Sequence, residues 1–66
     1  MNILLIGAGG REHTLAWKLI QSPQCEKLFI APGNAGTESL GTNLDIAITD
    51  FEKLAEACLM ENIQLV

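Results

Sequence analysis

The chain is predicted to fold as an α/β unit on a parallel sheet, and three observations predict it. Two short uninterrupted apolar runs, Asn2 to Ile6 and Lys27 to Ala31, have the form of strands buried on both faces. Two other stretches repeat their apolar residues at helical spacing, first Leu15, Ala16, Leu19 and Ile20, later Phe51, Leu54, Ala55, Cys58 and Leu59. Gly/Pro clusters punctuate these segments, and no repeat, charge run or low-complexity linker interrupts them. Strand, helix, strand, helix, strand in this order is a right-handed βαβαβ unit, the first half of a doubly wound fold.

Each element has its own local reason. Gly7-Ala8-Gly9-Gly10 stops the first strand, and the first helix is predicted from Arg11 to Gln21, closed by Ser22-Pro23 because proline disfavours helix at the residue before it. The second strand runs from Lys27 to Ala31 and meets the turn Pro32-Gly33-Asn34-Ala35-Gly36. Thr37 to Thr42 has room for one helical turn, and Leu44 to Ile48 alternates weakly, as an edge strand or an extended connection. Thr49 or Asp50 caps the second long helix, with Glu52, Lys53, Glu56 and Glu61 on its polar side. Ile63 to Val66 begins another strand. An apolar strand running to the last residue, with open sheet edges, reads as an N-terminal piece of a longer domain.

Sixty-six residues and 7.1 kDa make one small domain, for which size scaling gives about 4,000 Å² of folded surface. Four Lys+Arg against eight Asp+Glu leave a net charge of −4, so the chain lacks the positive field that nucleic-acid binding relies on. An apolar share of 48% with 18% charged residues excludes disorder and suits an interior better than a free surface. No long uncharged apolar run predicts a membrane span, and the four-residue run Ile3 to Ile6 with no basic residue before it does not fit a signal peptide. Cys25 and Cys58, thirty-three positions apart, match neither a disulfide framework nor a metal spacing and read as buried reduced thiols of a cytoplasmic protein.

The chemistry-bearing residues gather at the strand ends. Gly7-Ala8-Gly9-Gly10 joins strand to helix at the carboxyl edge of the sheet, where α/β folds bind ligands. Free N–H groups at a helix start, together with the helix dipole, attract an anion there; a tight turn without ligand is the alternative, although three glycines in four positions exceed what a turn requires. The dinucleotide fingerprint G-x-G-x-x-G fails because its last position is Glu12, and no glycine-rich stretch is followed by the Lys and Ser/Thr of a Walker loop. Arg11 can reinforce a phosphate site or remain a solvated side chain. Glu12 suits the helix dipole by position alone, His13 reads as a packing or hydrogen-bonding residue, and Trp17 reads as core. Asn34, in the second loop, has an amide suited to a sugar hydroxyl or amine, or else occupies a left-handed turn position. Both loops are expected to face one crevice.

At these residues a resemblance becomes specific. Gly9-Gly10-Arg11-Glu12-His13, Leu15-Ala16-Trp17-Lys18, Ser22-Pro23 and Ala31-Pro32-Gly33-Asn34-Ala35-Gly36-Thr37 together resemble the N-terminal domain of the glycinamide ribonucleotide synthetase family, from Met1 to Val66. Thr14 stands where the family commonly has Ala. The resemblance implies a Rossmann-like, pre-ATP-grasp domain, of which residues 1–66 are a part, with the ATP-grasp and later domains absent. It implies a purine-biosynthesis ligase that activates glycine with ATP as an acyl phosphate for attack by the amine of phosphoribosylamine. Carried over by position, Gly9, Gly10 and Arg11 lie by the sugar phosphate and Asn34 and Gly36 by the ribosylamine. No catalytic or metal-ligating residue is assigned to this segment: ATP and Mg²⁺ or Mn²⁺ belong to the missing region, and the segment alone is expected to be inactive. Another pre-ATP-grasp enzyme of the same pathway and a non-catalytic Rossmann-like binding module are the rival readings.

Overall fold

Both apolar runs form strands, and they pair with each other in parallel. A computed structural model describes residues 1–66, with β1 at Asn2–Gly7, α1 at Gly10–Leu19, β2 at Lys27–Pro32, α2 at Ala35–Glu38, β3 at Thr42–Asn43 and α3 at Phe51–Met60. The three strands form one parallel sheet in the order β1-β2-β3, the Rossmann-like arrangement the element order implies. On the free edge of β1, Leu65 bridges Ile3 in parallel, with the Leu4 N–H donating to the Leu65 carbonyl at 2.9 Å. The segment from Ile63 therefore starts a fourth position on the opposite side of β1 from β2. This reversal is what makes the sheet doubly wound.

The strand period of two divides the core between the sheet faces. Ile3 of β1 and Leu28 and Ile30 of β2 pack with Ala16 of α1 on one face. Leu4, Phe29 and Ala31 pack with Leu54 of α3 on the other. Both faces of β1 and β2 are thus covered, which explains why their sequences read as continuous apolar runs. Phe29, Ile30 and Ala31 are all buried.

Several expectations are corrected. The third strand of the sheet is Thr42–Asn43, paired with Phe29 and Ile30; of the two readings for Leu44 to Ile48 the strand is not formed, and the segment is a connection anchored by the Leu44 N–H on the Ile30 carbonyl at 2.7 Å that turns at Ile48. Proline closes β2 instead of opening a turn, since Pro32 is still in register with Gly7; the Ala31–Pro32 peptide is cis. Trp17 is not core: it is 54% exposed, because the turn of α1 that meets the sheet does so through Ala16, and the next residue lies about 100° round the helix. On α3 the buried stripe is Leu54, Ala57 and half-buried Cys58, while Phe51, Ala55 and Leu59 face out. The two cysteines are free thiols but only half-buried. With Phe51, Leu59 and Met60 each more than 70% exposed, the molecular surface of 4409 Å² is about a tenth above the scaling value. No helix is long and apolar enough to cross a membrane.

Candidate functional site

Register decides where the two glycine loops meet. Gly7 is opposite Pro32, and the Gly33 N–H donates to the Gly7 carbonyl at 3.0 Å, so both loops leave the carboxyl edge of the sheet at the same level. Gly7, at φ +148°, and Gly33, at φ +77°, occupy backbone regions that favour glycine, and these two positions let the chain turn off the edge so abruptly. A Cβ at Gly7 would run into the Glu12 side chain, and one at Gly33 into the Asn43 and Thr37 side chains.

The first loop delivers Gly9, Gly10 and Arg11 to the start of α1, all three exposed. Helix geometry leaves the first N–H groups without intrahelical partners. The Gly9 N–H is taken by the Glu12 carboxylate, which reaches back to it at 2.9 Å as the acidic half of a capping box. The N–H groups of Gly10 and Arg11 have no protein partner, and Arg11 takes part in neither of the two ion pairs, Met1 with Glu26 and Lys53 with Asp50. A Cβ placed at Gly10 would meet nothing within 4 Å. The helix start thus presents free backbone donors, including those of Gly10 and Arg11, a positive dipole end and an arginine in no ion pair, while Glu12 places a negative charge on the Gly9 side.

The second loop is bonded far more densely. Asn34 is the N-cap of α2, with extended backbone at φ −147°, so it does not hold a left-handed turn position. Its Oδ1 accepts from the Thr37 N–H at 2.9 Å, and its own N–H donates to Thr37 Oγ1 at 2.8 Å. Its Nδ2 donates across the crevice to the carbonyls of Ala8 at 2.8 Å and Gly9 at 3.2 Å. Thr37, which is fully buried, donates from Oγ1 to Asn43 Oδ1 at 2.8 Å, and Asn43 Nδ2 donates to the Asn34 carbonyl at 2.9 Å. Gly36 lies against α1: a Cβ there would stand 3.1 Å from Asn34 Oδ1 and 3.2 Å from the His13 ring. His13 is thereby brought to the crevice from the face of α1 that meets α2.

Of the five residues singled out from the sequence, Gly9, Asn34 and Gly36 lie where the two loops meet at the sheet edge, and Gly10 and Arg11 follow at the exposed start of α1. Sequence reasoning missed Thr37, Asn43 and the reach of Glu12. The spacing of Asn34 and Thr37, cap and third helical residue, carried a readable signal for the first of these; nothing local marked Asn43. A shallow hollow of about 270 Å³ lies elsewhere, between α3 and the segment before it, lined by Leu44, Ile46, Ala57 and Met60 with Lys53, Glu56 and Glu61. No three His, Cys, Asp or Glu side chains come together as a metal-binding group.

Comparison with known proteins bears on the whole chain. A family model described as phosphoribosylglycinamide synthetase, N domain, matches residues 1–66. A phosphoribosylamine–glycine ligase of Pasteurella multocida is 57% identical over 98% of this chain and 16% of its own length. The bifunctional purine biosynthetic protein ADE1 of Schizosaccharomyces pombe is 50% identical over 96% of this chain and 9% of its own. The trifunctional purine biosynthetic protein adenosine-3 of Gallus gallus is 48% identical over 97% of this chain and 7% of its own. The chain thus spans 16% or less of the length of these relatives.

Proposed function

The chain belongs to the phosphoribosylglycinamide synthetase family through its N domain, and from that premise we propose that it is the first part of a cytoplasmic ligase joining glycine to 5-phosphoribosylamine. In this reading the complete protein activates glycine with ATP and releases glycinamide ribonucleotide, a step of purine synthesis. Residues 1–66 form part of a pre-ATP-grasp domain that holds the phosphoribosylamine. ATP, its Mg²⁺ or Mn²⁺, and glycine are held by the remainder of the polypeptide, which supplies the phosphoryl chemistry.

One observation carries the reading: at the exposed start of α1 the N–H groups of Gly10 and Arg11 have no protein partner, and Arg11 belongs to neither ion pair. A sugar phosphate gains there from hydrogen bonds, the helix dipole and a charge-assisted arginine contact. The Glu12 carboxylate on Gly9 repels a phosphate from that side, so the anion is directed to the Gly10–Arg11 side, with Gly9 flanking it. The ribosylamine then extends toward Asn34 and Gly36 across the crevice.

The test uses the full-length enzyme. Gly10→Val puts a side chain into space that no protein atom occupies, so its effect reports on the ligand's approach. It should raise KM for phosphoribosylamine and leave KM for ATP nearly unchanged. Arg11→Ala should act in the same direction, about tenfold if one charge-assisted hydrogen bond is lost. Normal KM values for phosphoribosylamine in both variants would refute the site.

A further inference from the structure

We infer that Asn34 is a positioning residue: by bonding the Ala8 and Gly9 carbonyls from the second loop it sets the direction of the Gly10 N–H that the first glycine loop offers to a phosphate. This deepens the reading above and rests on it for the identity of the ligand. The argument is one of peptide planes. In a trans peptide the carbonyl and the following N–H lie in one plane and point in opposite directions, and every peptide of the first loop is trans. The Ala8–Gly9 plane is gripped at both edges, its carbonyl by Asn34 Nδ2 at 2.8 Å and its N–H by Glu12 Oε2 at 2.9 Å. The Gly9–Gly10 plane is held through its carbonyl, which accepts from Asn34 Nδ2 at 3.2 Å and from the His13 N–H at 3.3 Å. The Gly10 N–H, on the opposite edge of that plane, is therefore turned away from Asn34 and left unpartnered.

Asn34 is itself held in place. Its Oδ1, backbone N–H and carbonyl are engaged by Thr37 and Asn43, and Thr37 is fully buried. Because Nδ2 already serves the two loop carbonyls, Asn34 acts on a ligand through the loop. Glycines at positions 9 and 10 have no side chains to resist rotation of these peptides, so the restraint comes from outside the loop.

The experiment compares Asn34→Ser with the parent in the full-length protein. Serine is an equally good N-cap and carries no charge, but it has no amide to donate to Ala8 and Gly9. Two quantities are read: hydrogen exchange at the Gly9 amide without ligand, and the Kd for ribose 5-phosphate as a stable sugar-phosphate probe. The expected result is faster exchange at Gly9 together with roughly tenfold weaker binding, the loss of about one hydrogen bond's worth of order. Because both residues grip one peptide, Asn34→Ser and Glu12→Ala should speed Gly9 exchange less in combination than the product of their separate effects. Weaker binding with unchanged exchange would mean that Asn34 touches the ligand itself, overturning the inference and leaving the site reading intact. Faster exchange with unchanged binding would overturn both, since the phosphate would not lie on this loop. No change in either quantity would overturn the inference alone. Should Asn34→Ser fail to fold, Asn34→Asp keeps the cap and the size while facing two carbonyls with an acceptor, and faster Gly9 exchange is again the expected result.

Discussion

The two glycine loops leave the same sheet edge at the same level, yet they are built in opposite ways. The first, ending at Gly10, exposes its tip and leaves the N–H groups of Gly10 and Arg11 without protein partners. The second, from Gly33 to Thr37, also leaves the N–H groups of Ala35 and Gly36 without protein partners, but it engages its polar side chains in the mutual bonds of Asn34, Thr37 and Asn43. In the proposed reading the first loop is the surface that takes the phosphate and the second is the brace behind it. Unused donors cost little where water reaches them, whereas a buried hydroxyl such as that of Thr37 is tolerated only because it is bonded. Residue type alone does not separate the two roles, since both loops are rich in glycine. What separates them is that the second loop carries polar side chains, Asn34 and Thr37, and that these have found partners.

The comparison breaks most sharply at Gly33. Gly33→Ala meets both the positive φ and the Asn43 and Thr37 side chains, so it should destabilise the N-terminal segment by about 1–3 kcal/mol from the backbone alone, and by more once the clash is added. Native-state hydrogen exchange across β2 in the full-length protein measures it; a neutral result would show that the brace is pliable. Thr37→Val comes next. It keeps the shape but leaves the Asn34 N–H and Asn43 Oδ1 without their partner, a loss of about 1–3 kcal/mol in the same measurement. Gly10→Ala should move stability the other way by up to about 1 kcal/mol, because alanine has less freedom to lose and the space around position 10 is open. Smallest of all, Arg11→Ala should leave stability within about 0.5 kcal/mol while weakening phosphoribosylamine binding. A first-loop variant that unfolds the segment, or a second-loop variant that changes nothing, would erase the distinction between surface and brace.

Much of the architecture was legible in the residue order because its causes are local. The apolar runs at Asn2 to Ile6 and Lys27 to Ala31, the break at Ser22-Pro23 and the Asp50 cap, which accepts from the Lys53 N–H, all act within a few positions. The same holds for the two loops: strand ends in a parallel sheet must come out at one edge, so their shared crevice followed from topology. Side-chain exposure on the helices was less legible. Apolar spacing marks a stripe on α1 and α3, but the sheet is close enough to bury only Ala16 on the first and Leu54 and Ala57 on the second, leaving Trp17 and Phe51 outside. Periodicity gives a direction around the helix axis and says nothing of how far the neighbouring layer lies.

By itself, then, the sequence determined the α/β class, the order of the two long strands and two long helices, the sheet edge that the two loops share and, through its paired glycine motifs, the family. Only the tertiary structure decided that the third strand is Thr42–Asn43 and that Leu65 joins the far side of β1. It also decided that Asn34 spends its amide on Ala8 and Gly9, twenty-six and twenty-five positions away. The physical reason is the range of the interactions. Strand and helix patterns, caps and turns are set by neighbours along the chain, whereas a side-chain amide bonds to whichever carbonyls the folded sheet brings within 3 Å, and no spacing in the sequence encodes that distance.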